Sequence, residues 1–344
     1  CLCLCLCLCL CLCLCLCLSV CLSVCGALPE LHDWLQALVG LQDFKTTLGM
    51  DNCLLPRPLV KLRWYDALAE QLMQRSRRGV MASASAVIGS RGSGKSMSRN
   101  HIARHILEST RGPVAIVFTA SDEPCEIVVV SREGGRGVPV LARTFSASDI
   151  EAVRISMRRF EGGNVWCLAD VYGGVVRDIG SARHMVYFTR NDPAASRVLC
   201  DKMDGRHGMV AWFWVPRPQL DDAIASYELA RNDGKPASDA MKSRLRRWMA
   251  KFGHSLRAVR VVVDTQEGWE AGEDAFARRW QRLIQNTNIS LAQIFGDKVD
   301  ENLEMAWGDV VLCTKSTFSA TNPVFNKDGV EWRSKWVKDQ VFRH

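Results

Sequence analysis

Apolar positions in the middle of the chain follow two alternating rhythms. Short runs that are apolar throughout, such as Ala84–Ile88, Pro113–Phe118 and Val165–Ala169, have the length and composition of strands buried on both faces. Between them lie stretches where apolar side chains recur every three or four residues, as on one face of a helix. Met97–Thr110 is one, with Ile102, Ala103, Ile106 and Leu107 in register. Ser148 and Asp149 can cap another, running to Phe160 with Ile150, Val153, Ile155 and Met157 apolar. Glu126–Ser131 and Val138–Phe145 flank a stretch with three glycines and predict a hairpin. His184–Asn191 and Met209–Val215 predict further strands, and Gln219–Ala230 a further helix. Strands and helices in alternation predict an α/β fold, a mostly parallel sheet flanked by helices.

The flanks have other patterns. Leu28–Leu48 places Leu31, Trp34, Leu35, Leu38, Leu41 and Phe44 on a helical stripe, and Leu54–Pro58 breaks the chain. Val60–Arg78 predicts a second helix with Leu62, Tyr65, Leu68, Ala69 and Leu72 on one side. The stretch 232–238 has linker composition, and a basic helix over Asp239–Phe252 follows, with Leu245 and Trp248 for its buried side. Arg257–Asp264 holds a valine-rich run, Glu270–Ile284 has helical spacing, and Val310–Cys313 predicts a strand before a basic end. Residues 1–27 are dominated by a Cys-Leu alternation. It is long and apolar enough for a membrane span, but so exact a repeat reads as low complexity or a translated repeat, and a membrane role is expected only if the segment is real protein. The expected units are therefore 1–27 low complexity, 28–80 helical, 81–231 the α/β core, and 239–344 a helical, lid-like C-terminal part whose natural boundary lies further on.

Composition changes the picture little. The 344 residues carry a net charge of +7 and are 48% hydrophobic, so a large core is affordable and contact with anionic partners is permitted, not demanded. Of 16 cysteines, only Cys53, Cys125, Cys167, Cys200 and Cys313 lie beyond residue 25. No C-x-x-C pair occurs among them, which argues against a zinc site or disulfide framework and for a reducing, intracellular setting.

The chemistry concentrates between the first core strand and the first core helix. Gly89-Ser90-Arg91-Gly92-Ser93-Gly94-Lys95-Ser96 fits G-x-x-x-x-G-K-[ST], with Met97 opening the helix. Strand, glycine loop and helix aim backbone N–H groups and a helix N-terminus at phosphate. Lys95 then reaches the β- and γ-phosphates, and the Ser96 hydroxyl sits on Mg²⁺. The expected fold class is accordingly a P-loop NTPase, with ATP or GTP and Mg²⁺ as its ligands. Val165–Ala169 ends at Asp170, the place of an acid that reaches the Mg²⁺ shell, so Lys95 and Asp170 are the expected catalytic pair and Ser96 and Asp170 the metal side. Position 171 is Val, where many fast NTPases place a Glu to orient water, so turnover is expected to be slow. Thr189 and Asn191, at the exit of a later strand, are candidate sensors of the γ-phosphate; a plain strand-to-turn exit fits equally.

The order of these motifs resembles that of the retrotransposon hot spot proteins of trypanosomes, from Val87 to Leu283. In that family the loop reads G-T-P-G-x-G-K-S-M; here Gly89–Met97 matches with Arg91 at the proline. The family's following strand and hairpin resemble Val114–Phe118 and Glu126–Phe145, its run ending in Asp-Val resembles Leu168–Val171, and its later strand with a polar exit resembles Met185–Asn191. The family's C-P-E-E-M-D segment is similar to Val215–Asp221 with different acids. The resemblance implies a nuclear, multicopy P-loop ATPase-like protein with links to chromatin and RNA synthesis; Crinkler-type effectors carry a similar core and are the rival family. Two alternatives to an NTPase stay open. One is a nucleotide-gated module contacting chromatin, RNA or DNA with little turnover, motivated by Val171 and by basic helices with Trp248 and Trp280. The other is a decayed gene fragment. A homo-oligomer is compatible with each reading.

Overall fold

The computed structural model describes residues 47–49, 55–57, 60–77, 83–90, 92–119, 126–134, 140–160, 164–169, 184–189, 210–231, 235–256, 273–275, 277–278, 281, 312–317 and 325–343. The Cys-Leu segment, Arg91, Asp170, Val171, Asn191, the 257–264 run and Trp280 lie outside these residues.

In chain order, β1 (Thr47–Gly49) and β2 (Leu55–Arg57) form a small antiparallel pair. This corrects the sequence expectation at two places: Thr47 and Leu48 leave the predicted helix to pair with Arg57 and Pro56, and the predicted break contributes a strand. Pro56 fits because a two-stranded sheet is all edge, where a missing N–H is tolerated. Helix α1 (Tyr65–Arg77) starts five residues later than the pattern predicts, and Leu62 and Trp64 before it are already buried.

The main sheet is built from β3 (Ser83–Ile88), β4 (Val114–Thr119), β5 (Glu126–Arg132), β6 (Leu141–Ser146), β7 (Asn164–Ala169), β8 (His184–Thr189) and β9 (Ala211–Trp214). Their order is β6-β5-β4-β7-β8-β3-β9. The five strands from β4 to β9 run parallel, and β5 and β6 extend them antiparallel as the predicted hairpin. Helix α2 (Lys95–Ser109) joins β3 to β4, and α3 (Ile150–Arg158) precedes β7. After β9 come α4 (Leu220–Arg231), α5 (Asp239–Phe252), the hairpin β10 (Leu312–Thr317) and β11 (Asn326–Trp332), and α6 (Lys335–Arg343). The C-terminal part is thus not helical throughout.

Alternation along the parallel strands feeds two cores. On one face Val87, Ile116, Phe118, Trp166, Leu168, Val186 and Phe188 pack with Leu68 and Leu72 of α1 and Ile102, Ile106 and Leu107 of α2. On the other, Ala86, Ile88, Val117, Cys167, Ala169 and Tyr187 pack with Val153 and Met157 of α3 and with Phe160. Helices on both faces explain why these strands read as unbroken apolar runs. Ile155 of the predicted α3 face is 59% exposed, because Val153 and Met157 already fill the side turned to the sheet. Asp149 sits at the N-cap of α3 without a side-chain cap bond, a short 3-10 turn leading in instead.

One buried arginine closes a helix end. Arg132 of β5 donates to the carbonyls of Leu107 (2.6 Å) and Thr110 (2.5 Å), supplying partners that the last carbonyls of α2 lack inside the helix.

Candidate functional site

The phosphate-loop sequence lies at the carboxyl end of β3, between β8 and β9. Ile88, its last strand residue, is level with Thr189 and Trp214. Gly92 and Gly94 take φ of 77° and 92°, a left-handed backbone that side chains other than glycine adopt at a cost of about 1–2 kcal/mol. Gly94 is the N-cap of α2 and offers no side chain to the first helical N–H groups. The first turn of α2 also carries no acid, so its positive end faces the loop uncompensated.

Lys95 is buried, and its ammonium is turned into the loop. Nζ donates to the Gly89 carbonyl (2.6 Å), the Ser90 carbonyl (2.8 Å) and Ser93 Oγ (3.4 Å). The Ser93 amide donates to Ser90 O (3.2 Å), closing the turn. The hydroxyl of Ser90 is buried and has no hydrogen-bond partner. A loop with a caged cation, a helix N-terminus behind it and a buried Ser90 hydroxyl without a partner fits an anion with several oxygens. Ser96 is half-buried in the first helical turn; a hydroxyl with phosphate and carboxylate oxygens suits Mg²⁺. Among the described residues no three His, Cys, Asp or Glu side chains group to hold a metal by themselves. Met97 is half-buried in the same turn.

Three other segments hold the loop. Tyr65 at the start of α1 donates its hydroxyl to Gly94 O (2.8 Å), and a Cβ at Gly94 would stand 2.6 Å from Leu62 Cδ1. Burial, and secondarily the charge of Asp222, push the Tyr65 phenol well above its usual range, so it stays a donor. Val215 after β9 donates its N–H to Ile88 O (2.8 Å) and closes over Gly89. The turn after α5 sits on Gly92: the Leu256 amide donates to Gly92 O (3.2 Å), and a Cβ at Gly92 would meet Ser255 Oγ at 2.2 Å. Beside that turn, His254 Nδ1 lies 2.7 Å from Pro218 O, and burial lowers its pKa.

Deeper in, Arg99 of α2 is buried, with Nε donating to Ser96 O (3.0 Å) and Nη1 to Thr119 O (3.0 Å). It ties the start of the phosphate-loop helix to the end of β4. The nearby Cys167 thiol is pushed up to about 12 by burial, against the pull of Arg99, and is a core residue, not a nucleophile.

The sequence-predicted loop residues Gly89, Ser90, Gly92, Ser93, Gly94, Lys95 and Ser96 are therefore brought together as one site. Thr189 ends β8 beside the loop strand; β7 ends at Ala169, immediately before Asp170. Tyr65, Arg99, Thr119, Ser255 and Leu256 belong to no motif, and Val215 enters only as the first residue of the segment likened to C-P-E-E-M-D. Tyr65 and Val215 read as core and strand positions, and nothing local marks the others, because their role depends on contacts between segments distant in sequence.

No family model and no curated protein matches the chain. Among solved structures it is similar to the RuvB Holliday junction branch migration motor of Thermotoga maritima, at 10% identity over 76% of this chain and 83% of that one, with a TM-score of 0.37. It is also similar to the ORC2 protein of Aeropyrum pernix in its ADP form (14% identity, 75% and 82%, TM-score 0.43) and to a katanin structure on self-assembly (12%, 80% and 85%, TM-score 0.36). Likenesses this distant leave the fold to be judged on the chain's own topology. That topology, a parallel core with the glycine loop between β3 and α2, is an α/β fold of P-loop NTPase type.

Proposed function

We propose that the chain binds a nucleoside triphosphate, ATP or GTP, with Mg²⁺, and hydrolyses it slowly. The observation that carries this reading is the buried Lys95 ammonium, held by loop carbonyls at the uncompensated N-terminus of α2. An ammonium kept on neutral carbonyls is ready to exchange them for the stronger acceptors of a phosphate chain. Gly89, Ser90, Gly92, Ser93 and Gly94 would cradle the phosphates, with Arg91 and Met97 flanking them. Ser96 and Asp170 would hold Mg²⁺, which would supply neutralisation of the phosphate charge. We extend the proposal to membership of the retrotransposon hot spot type, with a nuclear location, on the motif order quoted above.

Lys95→Ala is expected to weaken MgATP binding about 100-fold or more, the order of two charge-assisted hydrogen bonds, while leaving the circular dichroism spectrum unchanged. Calorimetry giving wild-type affinity for that variant would sink the nucleotide reading.

A second reading, a nucleotide-gated module for chromatin or nucleic acid, is favoured by the exposed Arg246 and Arg247 on α5. Salt-sensitive nucleic-acid binding without turnover would support it over the enzyme.

A further inference from the structure

We propose that Thr119 positions the water that attacks the terminal phosphate, a part for which position 171 offers only a valine. The proposal rests on the triphosphate reading above and deepens it.

Thr119 is the last residue of β4, and its hydroxyl is buried without a hydrogen-bond partner. By strand alternation it shares a face with Ala115 and Val117, where a valine would fit without burying a polar group. A hydroxyl left unpaired there is a standing cost, and it points to an oxygen-bearing ligand or water that completes the site. Its position suits that use. Near the carboxyl rim of the sheet, the parallel register sets Thr119 level with Ala169, Ala169 with Tyr187 and Tyr187 with Ala86, so β4 ends two residues short of Ile88, the end of the loop strand. On this reading the phosphates held after β3 would extend across β8 toward β7, away from the Lys95 end of the loop. Thr119 stands one strand beyond, about 14 Å from the loop strand at three strand spacings. An in-line attack brings the water from the side opposite the leaving oxygen, hence from the far side of the terminal phosphate as seen from the loop.

The strand end is also fixed to the phosphate-binding helix. Arg99, one turn after Lys95, donates to Thr119 O (3.0 Å) and to Ser96 O (3.0 Å), so the rim position and the Mg²⁺-side serine share one buried guanidinium. A water bound to Thr119 donates one hydrogen bond to its hydroxyl oxygen, which leaves a lone pair free for phosphorus. The new P–O bond forms as the bond to the bridging oxygen breaks, and the nucleoside diphosphate departs with that electron pair. The water's proton passes to a phosphate oxygen, because a threonine hydroxyl is no base at neutral pH. Orientation without a base gives slow turnover.

The test uses the full chain and three measurements: MgATP affinity by calorimetry, steady-state hydrolysis, and thermal midpoint. Thr119→Val is expected to lower kcat about 10- to 100-fold, with affinity within about twofold of wild type and an equal or higher midpoint. Thr119→Ser, which keeps the hydroxyl, is expected to retain most of kcat. A merely structural threonine predicts the opposite pattern, with kcat unmoved in Thr119→Val, and that result overturns the inference. So does wild-type protein that binds MgATP without hydrolysing it. Wild-type protein that binds no nucleotide overturns the triphosphate reading itself, a separate outcome seen in the calorimetry alone.

Discussion

Gly92 shows how tightly a single residue is constrained here. Its φ of 77° disfavours any side chain, and a Cβ would also stand 2.2 Å from Ser255 Oγ and 3.2 Å from Ser255 Cβ. Gly92→Ala should therefore lose about 1–3 kcal/mol by urea denaturation, part from backbone and part from the clash. Ser255→Gly in the same chain should return only the clash part, so the double-mutant cycle should show coupling of at least about 0.5 kcal/mol. Strict additivity would mean that the turn after α5 does not press on the loop. His101 makes a second residue-scale case. Burial lowers its pKa to about 4, outweighing Asp66, whose Oδ1 lies 2.9 Å from Nε2; Lys61 and His105 also lower it. The unfolded chain therefore takes up a proton near 6.5 that the native chain refuses until about 4. Stability held above pH 6.5 is lost as pH falls through that window, by up to about 3 kcal/mol. His101→Gln should flatten the slope of unfolding free energy between pH 6.5 and 4, and an unchanged slope would assign it to other groups.

At the scale of elements, legibility tracks how local the cause is. Helix α5 falls over the predicted Asp239–Phe252, because its buried stripe of Leu245, Trp248, Met249 and Phe252 and its cap are written in consecutive residues. Ser238 Oγ accepts from the Met241 amide (3.3 Å), and Gly253 at φ 83° ends the helix. The phosphate loop was legible for the same reason: strand, glycines and lysine are contiguous. Helix α2 was harder, since it buries Ser98, Arg99, Asn100 and His101 along with its apolar stripe. Two of them, Arg99 and His101, answer to partners on other elements, Thr119 on β4 and Asp66 on α1, which no local pattern encodes, while Ser98 Oγ donates back to Lys95 O in its own helix. The β1–β2 pair was missed because tertiary pairing at 47–49 overrides an apolar spacing that suits a helix. The contribution of α1 to the site was hidden likewise. Tyr65 reads as one more apolar position, and only the fold brings its hydroxyl to Gly94.

Across the whole molecule, contacts from residues 62–65, 215 and 255–256 converge on the loop at 89–96, and the far C-terminal segment stands behind two of them. Phe325 accepts a hydrogen bond from the Trp214 amide (3.1 Å) and packs edge-on against Phe213, which ties it to the edge strand β9. Arg333 donates to Phe252 O (2.9 Å) and closes over Gly253, and Ser334 Oγ donates to Lys251 O (2.5 Å). These last bonds fix the end of α5 and so the turn that meets Gly92. The two supports differ in what they should control. Phe325→Ala removes a core ring and should cost about 3–5 kcal/mol, with nucleotide affinity little changed in the fraction that stays folded. Arg333→Met removes the buried side-chain donor to Phe252 O next to the turn and should cost about 1–3 kcal/mol. Its distinguishing effect should be a MgATP affinity several-fold weaker, because the Leu256 amide would no longer be held against Gly92 O. Calorimetry on both variants, below their unfolding midpoints, separates the two supports. Equal loss of affinity in both would mean that the C-terminal segment acts through general stability, and that the path from Arg333 through Gly253 to the phosphate loop carries nothing specific.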